Sequence, residues 1–310
     1  MRERQLIAEL LAPLATTIAA RGLADDAAVL VPPIGRDLVL THDMLAEGVH
    51  YLPDDPPGDV AWKLLVVNLS DLAAMGARPM GVLLGLGLGL DQDEAWLRAF
   101  VTGLRRGMEQ WQVALYGGDT VTGLDAAVLG LTAVGQVEPG RALSRSGARA
   151  GDVLWVSGTI GDAGLGLDIL KGLASHDKYL IDRYRRPTPQ LMLGRALLGL
   201  ATAAMDVSDG LLIDAERLAL ASNVCIIIDL AAVPLSEAAA ARTASGNTGR
   251  LARATAGDDY ELLFTAPAGV TPHLPGLRLT AIGRITAGIG LTVVGIDGQP
   301  VRPERLGWEH

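Results

Sequence analysis

The sequence predicts two α+β domains, and three observations carry that prediction. The chain has 310 residues, beyond the roughly 250–300 at which a single hydrophobic core stops growing. Helix-period and strand-period segments alternate through both halves. Residues 138–152 (E-P-G-R-A-L-S-R-S-G-A-R-A-G-D) are rich in Gly, Ser and Arg and poor in apolar residues, which marks a boundary. The expected domains are therefore 1–137 and 138–310.

The elements follow in order. The N-terminus is charged, then apolar, in the manner of a leader. Glu9 and Pro13 interrupt it, however, and Leu6, Leu10, Leu14 and Ile18 recur at helical spacing, so an amphipathic helix is expected. Residues 38–43 (L-V-L-T-H-D) read as a strand. A helix over 58–75 is opened by Pro56-Pro57 and closed by Gly76. Residues 80–90 alternate Gly and Leu with period two, a strand signature. A helix over 93–109 and a strand over 126–137 complete the first half. The second half predicts a strand at 153–157, helices at 164–174, 188–200 and 209–222, and a strand at 224–230. Further strands are expected near 260–265, 279–285 and 291–296.

Composition excludes several functions. Net charge is −9, from 26 basic and 35 acidic residues, and no basic run occurs. Nucleic acid and anionic lipid therefore lack a docking surface. Aromatic residues are only 4% of the chain, too few for base-stacking platforms. No apolar run reaches the roughly 18 residues of a membrane span. The lone cysteine, Cys225, lies in an apolar run and has no internal disulfide partner, as fits a reducing cytoplasm. An acidic protein can still bind phosphates if metal ions stand between the two negative partners.

The aspartates point that way. Asp25-Asp26 follow Gly22, and Asp43 ends a strand pattern. Asp71 lies in N-L-S-D-L-A-A-M-G, Asp119 in Y-G-G-D-T, Asp206 and Asp209 in M-D-V-S-D-G, and Asp258-Asp259 in A-G-D-D-Y-E-L. Most sit beside Gly or Ser at the ends of apolar segments. Carboxylates so placed suit a hard divalent cation such as Mg2+. Each motif alone also fits a turn residue or a helix cap, Asp209 before L-L-I-D included. Six in one chain are harder to assign that way.

The common phosphate-binding signatures are absent: no G-x-x-x-x-G-K-[ST], no G-x-G-x-x-G, no H-R-D or D-F-G set. The glycines of 80–90 either admit a close approach at the nucleotide or pack against a helix or a partner subunit. Arg145, flanked by Ser144, Ser146 and Gly147, is a candidate phosphate contact, with a solvated loop arginine as the alternative. His50, a lone histidine, reads as structural or exposed, or as a catalytic base. Were a group transferred onto a phosphate, no base would be needed and a binding role would serve better. No Ser-His-Asp order or His/Cys set indicates hydrolysis.

Together these motifs resemble those of thiamine-monophosphate kinases. G-L-A-D-D-A-A-V-L is similar to that family's G-I-G-D-D-A-A-V-L. G-V-H-Y-L-P-D, V-N-L-S-D-L-A-A-M-G-A-R-P, G-G-D-T, R-A-L-S-R-S-G-A-R-A-G-D, M-D-V-S-D-G-L and G-D-D-Y-E-L-L-F-T follow in order. The resemblance runs from residue 22 to the terminal G-W-E-H. It implies the two-domain fold of aminoimidazole ribonucleotide synthetase, with N-terminal sheets pairing across a homodimer. It implies ATP and thiamine monophosphate as substrates and several Mg2+ ions held by Asp26, Asp43, Asp71, Asp119, Asp206 and Asp209. Thr41 and His42 would add oxygen ligands, the latter by its backbone. Gly118, Asp119, Arg145 and Ser208 would bind ATP, while His50 and Asp258 would contact the acceptor and Trp308 would cover its rings. Asp43, Asp71, Asp119 and Asp209 are thereby the expected catalytic set.

The chain departs from the family pattern at four places. Ala24 replaces a glycine. Thr41-His42-Asp43 stands for Ser-Thr-Asp, so a hydroxyl gives way to an imidazole, a poorer Mg2+ partner. Gly257-Asp258-Asp259 stands for Gly-Glu-Asp, one methylene shorter. Trp308-Glu309-His310 stands for Tyr-Asp-His-Phe. The expected reaction is in-line transfer of the γ-phosphoryl of ATP to a phosphate acceptor, Mg2+ reducing the repulsion between two polyanions. The rivals are another ATP-using enzyme of the same superfamily and a non-catalytic nucleotide or metal sensor. Selenide chemistry would want a reactive Cys near the N-terminus, and Cys225 is not one.

Overall fold

The structure is a computed structural model and describes residues 3–309; His310, in the terminal motif, lies outside them. Two compact units emerge, one of residues 3–72 and 77–140, the other of 73–76 and 141–309. Among the described residues no helix is long and apolar enough to cross a membrane.

The first unit opens with α1 (Glu3–Leu6), a wide π turn over Ile7–Leu11, and 3-10 turns at Ala12–Leu14 and Ile18–Leu23. This corrects the single amphipathic helix that the spacing predicts. Leu6, Leu10 and Leu14 are buried as expected, but Ile18 is 97% exposed. Pro13 has no amide to continue the ladder, and Ala15 leaves the helical region at ψ 61°.

A four-stranded sheet follows: β1 (Asp37–Ala46), β2 (Arg78–Gly89), β3 (Ala114–Leu124) and β4 (Val128–Val137), in spatial order β1-β4-β2-β3. β4 runs antiparallel to β1 and β2, and β3 lies parallel to β2. The parallel pair needs a crossover, supplied by α3 (Glu94–Trp111); α2 (Pro57–Ala74) joins β1 to β2. Asp93 caps α3 through the Trp96 amide. The helix buries Leu97, Phe100, Val101, Leu104 and Met108 at i, i+3, i+4 spacing, each contributing about 1.5–3 kcal/mol. The two helices touch backbone to backbone, since a Cβ on Gly103 would overlap Gly58.

Period-two alternation then sorts the sheet's faces. Leu84, Leu86 and Leu88 of β2 are buried, while Leu83, Gly85, Gly87 and Gly89 alternate with them on the other face. That second face is open: Leu38, Leu40 and Met44 of β1, Leu83 and Val121 are 36%, 63%, 51%, 39% and 53% exposed.

The second unit holds a seven-stranded sheet of β5 (Val153–Ser157), β6 (Ala203–Asp206), β7 (Cys225–Asp229), β8 (Leu262–Ala266), β9 (Leu279–Thr286), β10 (Gly290–Val294) and β11 (Pro300–Val301). Its order is β11-β10-β7-β9-β5-β8-β6. Its helices are α4 (Asp162–Leu170), α5 (Lys178–Arg185), α6 (Leu191–Ala196), α7 (Leu211–Ser222), α8 (Glu237–Ala240) and α9 (Asn247–Ala254). Leu154, Val156, Leu211, Leu212, Ile226, Ile228, Leu263 and Ile282 form its core. β3, β6, β11, α5, α8 and α9 have no counterpart in the sequence-based reading. The helix expected over 188–200 shrinks to α6 after Pro187 and Pro189, as the residue before a proline is driven from helical geometry.

Candidate functional site

The candidate residues divide between the units. In the first, β1 is an edge strand beside α2, and the Asp43 amide donates to Asn68 Oδ1 at 2.9 Å. Asn68 is fully buried, held by its own bond from Nδ2 to Leu64 O at 3.0 Å. Three residues on, Asp71 accepts a hydrogen bond from the Thr41 hydroxyl. Positions 68 and 71 share a helix face, and positions 41 and 43 share a strand face. The N-L-S-D motif thus carries an anchor, Asn68, that sequence reasoning missed.

Register places two other candidates elsewhere. His42 points to the open face, where its Nδ1 pairs with Thr132 Oγ1 at 2.8 Å. The imidazole therefore does not stand in the ligand position that the departure from Ser-Thr-Asp suggested. Asp119 pairs with Gly85 and so also lies on the open face, exposed, with Oδ1 accepting from the Thr120 amide at 2.9 Å. Gly118, one residue back, faces Leu84, and a Cβ there would overlap the Leu84 carbonyl oxygen. Asp26 is exposed on the loop after the last 3-10 turn. Half-buried His50 accepts from the Ala46 amide through Nδ1 at 3.0 Å, and its carbonyl accepts from buried Lys63 at 3.0 Å. Among the described residues, no group of three or more His, Cys, Asp or Glu is arranged to hold a metal ion.

In the second unit the end of β6 gathers several candidates. Asp206 is 4% exposed. The Ser208 and Asp209 amides both donate to Asp214 Oδ2, at 3.0 and 3.1 Å. Arg217 pairs with Asp209 and with Asp214, the latter at 2.8 Å. Asp209 does not cap α7; Gly210 occupies that position. The Asp258 amide donates to Ser208 O at 2.7 Å, and the Trp308 amide to Asp209 O at 2.9 Å. Ser208, Asp209, Asp258 and Trp308 are thus tied together by backbone bonds. Trp308 keeps a 52% exposed ring. Arg145 is exposed on the 141–152 loop; its carbonyl accepts from Ser222 Oγ at 2.9 Å, and the preceding Ser144 carbonyl accepts from the Ala204 amide at 2.8 Å.

Asp214 was not a sequence candidate, although an aspartate inside L-L-I-D is a visible signal. Burial, with the nearby Asp209 charge, pushes its carboxyl up to about 6, against the pull of Arg217. The sign follows. The folded pKa lies above the ordinary 3.8, so the group's contribution to stability is fully present below pH ~4 and lost as pH rises through ~6. The metal-free Asp214→Asn variant is therefore expected to gain on the wild type by up to roughly 3 kcal/mol between those pH values. Chemical denaturation of both proteins at pH 4 and 7 checks it, and an unchanged difference refutes it.

The chain matches the family model for the N-terminal domain of AIR synthase related proteins over residues 24–137, and that for their C-terminal domain over residues 149–295. It is 42% identical over 302 residues to the thiamine-monophosphate kinase of Escherichia coli (strain K12), covering 93% of this chain and 91% of that protein. The crystal structure of thiamine-monophosphate kinase from Stenotrophomonas maltophilia K279a superposes with a TM-score of 0.81 at 42% identity, covering 90% of this chain and 91% of that one. AaThiL complexed with AMPPCP and TMP superposes with a TM-score of 0.80 at 34% identity, covering 100% and 99%. With both domain models matched and identity of this order across nearly its whole length, the chain belongs to the thiamine-monophosphate kinase family of AIR synthase related proteins.

Proposed function

We propose that the chain transfers the γ-phosphoryl group of ATP directly to the phosphate of thiamine monophosphate, giving thiamine diphosphate and ADP. The observation that carries this reading is the likeness, over 100% of this chain, to AaThiL complexed with AMPPCP and TMP.

Thr41, Asp43 and Asp71 fit a divalent cation. They are oxygen donors, the Thr41 and Asp71 oxygens already meet, and Asn68 fixes the Asp43 backbone. A hard cation with few protein ligands leaves room for water and phosphate oxygens. Mg2+ bound there would neutralise charge on the transferring group. The same reading gives Asp26, Asp119, Asp206, Asp209 and the His42 backbone carbonyl to further ions. Arg145, Ser208 and the Gly118 backbone serve the nucleotide. Arg145 has reach because its loop is tethered through Ser144 and Ser222 while the guanidinium stays in solvent.

His50, Asp258 and Trp308 serve the acceptor. Since His50 Nδ1 accepts a hydrogen bond, the neutral ring carries its proton on Nε2. That nitrogen can donate to a phosphate but cannot take a proton. This supports a binding role and needs no general base.

Two copies of the chain are proposed to pair through the open face of the first unit's sheet. Leu38, Leu40, Met44, Leu83 and Val121 expose apolar surface there, of a kind that soluble monomers seldom leave contiguous. The glycine row of β2 lets a partner approach the backbone.

With ATP, Mg2+ and thiamine monophosphate, the purified chain is expected to form one thiamine diphosphate per ADP, and little ADP without the acceptor. ADP release indifferent to the acceptor would move the reading to another nucleotide-using activity.

A further inference from the structure

We infer that Arg183 is a positioning residue for the acceptor: it holds the turn at residues 257–261 so that the Asp258 carboxylate keeps its place beside the end of β6. This rests on the acceptor role proposed above for Asp258.

The turn is unusual in its backbone. Asp258 and Tyr260 both adopt left-handed conformations, φ 69° and 51°, which residues with side chains rarely take and which persist only where the surroundings over-determine them. One edge of the turn is fixed by the β6 end. The Asp258 amide reaches Ser208 O at 2.7 Å, the Tyr260 amide reaches Val207 O at 2.8 Å, and the Val207 amide reaches Glu261 O at 2.8 Å. The Tyr260 hydroxyl then donates to Asp258 Oδ1 at 3.1 Å, aiming that carboxylate.

The other edge is fixed by charge. Arg183, on α5, donates from Nη2 to Glu261 Oε1 at 2.9 Å and to the Asp259 carbonyl at 3.3 Å. Its side chain is only 15% exposed. Glu261 is buried and also accepts from Ser157 Oγ at 2.6 Å and Gln190 Nε2 at 2.9 Å. Asp259 is fully buried and accepts from the Gly161 amide at 2.7 Å. Asp162, also buried, stands 3.8 Å from Arg183 Nε. Three buried carboxylates around one guanidinium are a poor way to gain stability, because apolar packing does as well without the desolvation cost. What the arrangement supplies is direction. It grips the turn at the residues on either side of Tyr260, and so sets both left-handed residues.

Arg183→Met alone would leave buried Asp162, Asp259 and Glu261 without their cation, so the test pairs it with Glu261→Gln, which removes one charge of each sign at similar volume and leaves the net buried charge unchanged. The double variant is expected to melt within a few degrees of wild type. Its KM for thiamine monophosphate should rise about tenfold while its KM for ATP stays within about twofold. Hydrogen exchange at the Asp258 and Tyr260 amides should accelerate about tenfold relative to β8. Arg183→Lys, which keeps the charge and loses the second contact, should show the same split at about threefold and serves if the double variant is unstable. An unchanged acceptor KM with unchanged exchange overturns the inference, and so does an equal loss for both substrates. If the wild type makes no thiamine diphosphate, the functional reading fails instead. Exchange at residues 258 and 260 then decides whether Arg183 positions the turn.

Discussion

Asp71→Ala is expected to lower kcat roughly a thousandfold, a loss of about 4 kcal/mol of transition-state stabilisation, with the fold intact. Asp71 is only partly buried, so its removal leaves no deep cavity. What goes is a carboxylate that already meets the Thr41 hydroxyl and would bind a cation with it. Asp119→Ala is expected to cost a similar factor by a different route, since register sets Asp119 on the open face and Thr41 and Asp43 on the other. Two carboxylates on one ion would behave as a unit, and the double variant would be no worse than either single one. Placed on opposite faces, they are expected to act on separate ions, so their losses should add until background is reached. Steady-state kinetics at saturating Mg2+ on the two single variants and the double variant measure this. Near-normal turnover in both single variants would rule out the aspartate mechanism.

The second large effect concerns the acceptor. Thiamine is expected to be phosphorylated at no useful rate, while thiamine monophosphate is turned over. The free hydroxyl has a pKa far above neutrality and needs a base to lose its proton. His50 is poorly placed to be that base, because the Ala46 amide occupies Nδ1 and leaves Nε2 as a donor. A phosphate acceptor is already anionic and brings oxygens for a bridging cation. Parallel assays with the two acceptors, following ADP and the phosphorylated product, decide the point. Comparable rates would overturn direct transfer to a phosphate. The pH–rate profile with thiamine monophosphate should show no requirement for a base titrating near neutrality.

What the sequence disclosed followed its periodicities. The Gly-Leu alternation of 80–90 announced β2, and Leu84, Leu86 and Leu88 are indeed its buried row. β3 was illegible because Gly117, Gly118, Asp119 and Thr120 carry turn chemistry. They become a strand by pairing with β2, a non-local contact that outweighs local preference. In β1 the buried or half-buried row at 41, 43 and 45 and the exposed row at 38, 40, 42 and 44 separate His42 from its neighbours. The strand was read correctly; what T-H-D alone does not disclose is that the strand sends the His42 imidazole to the face opposite the Thr41 and Asp43 side chains. The chain Asp214, Arg217, Asp209 was missed because an acid in an apolar helix looks like an interruption until its backbone partners are known. In A-G-D-D-Y-E-L the sequence offered Asp258 as an acceptor contact but did not distinguish Asp259 and Glu261, which are buried. Burial of Asp259 and Glu261 depends on Arg183, from a short helix the sequence did not announce. Such long-range pairing leaves no local trace.

The close packing behind Gly118 bears on how tolerance to substitution should be read in this protein and its relatives. Gly118 and Asp119 are neighbours, and a survey of variants would find both intolerant of change. For Gly118 the obstacle is the Leu84 carbonyl on the helix side of the sheet, and no ligand is required to explain it. For Asp119 the side chain stands in solvent on the opposite side, where nothing in the packing forbids replacement. Under the cation role proposed for Asp119, the same constraint on two adjacent positions would have two origins, one in how the sheet is built and one in what it holds.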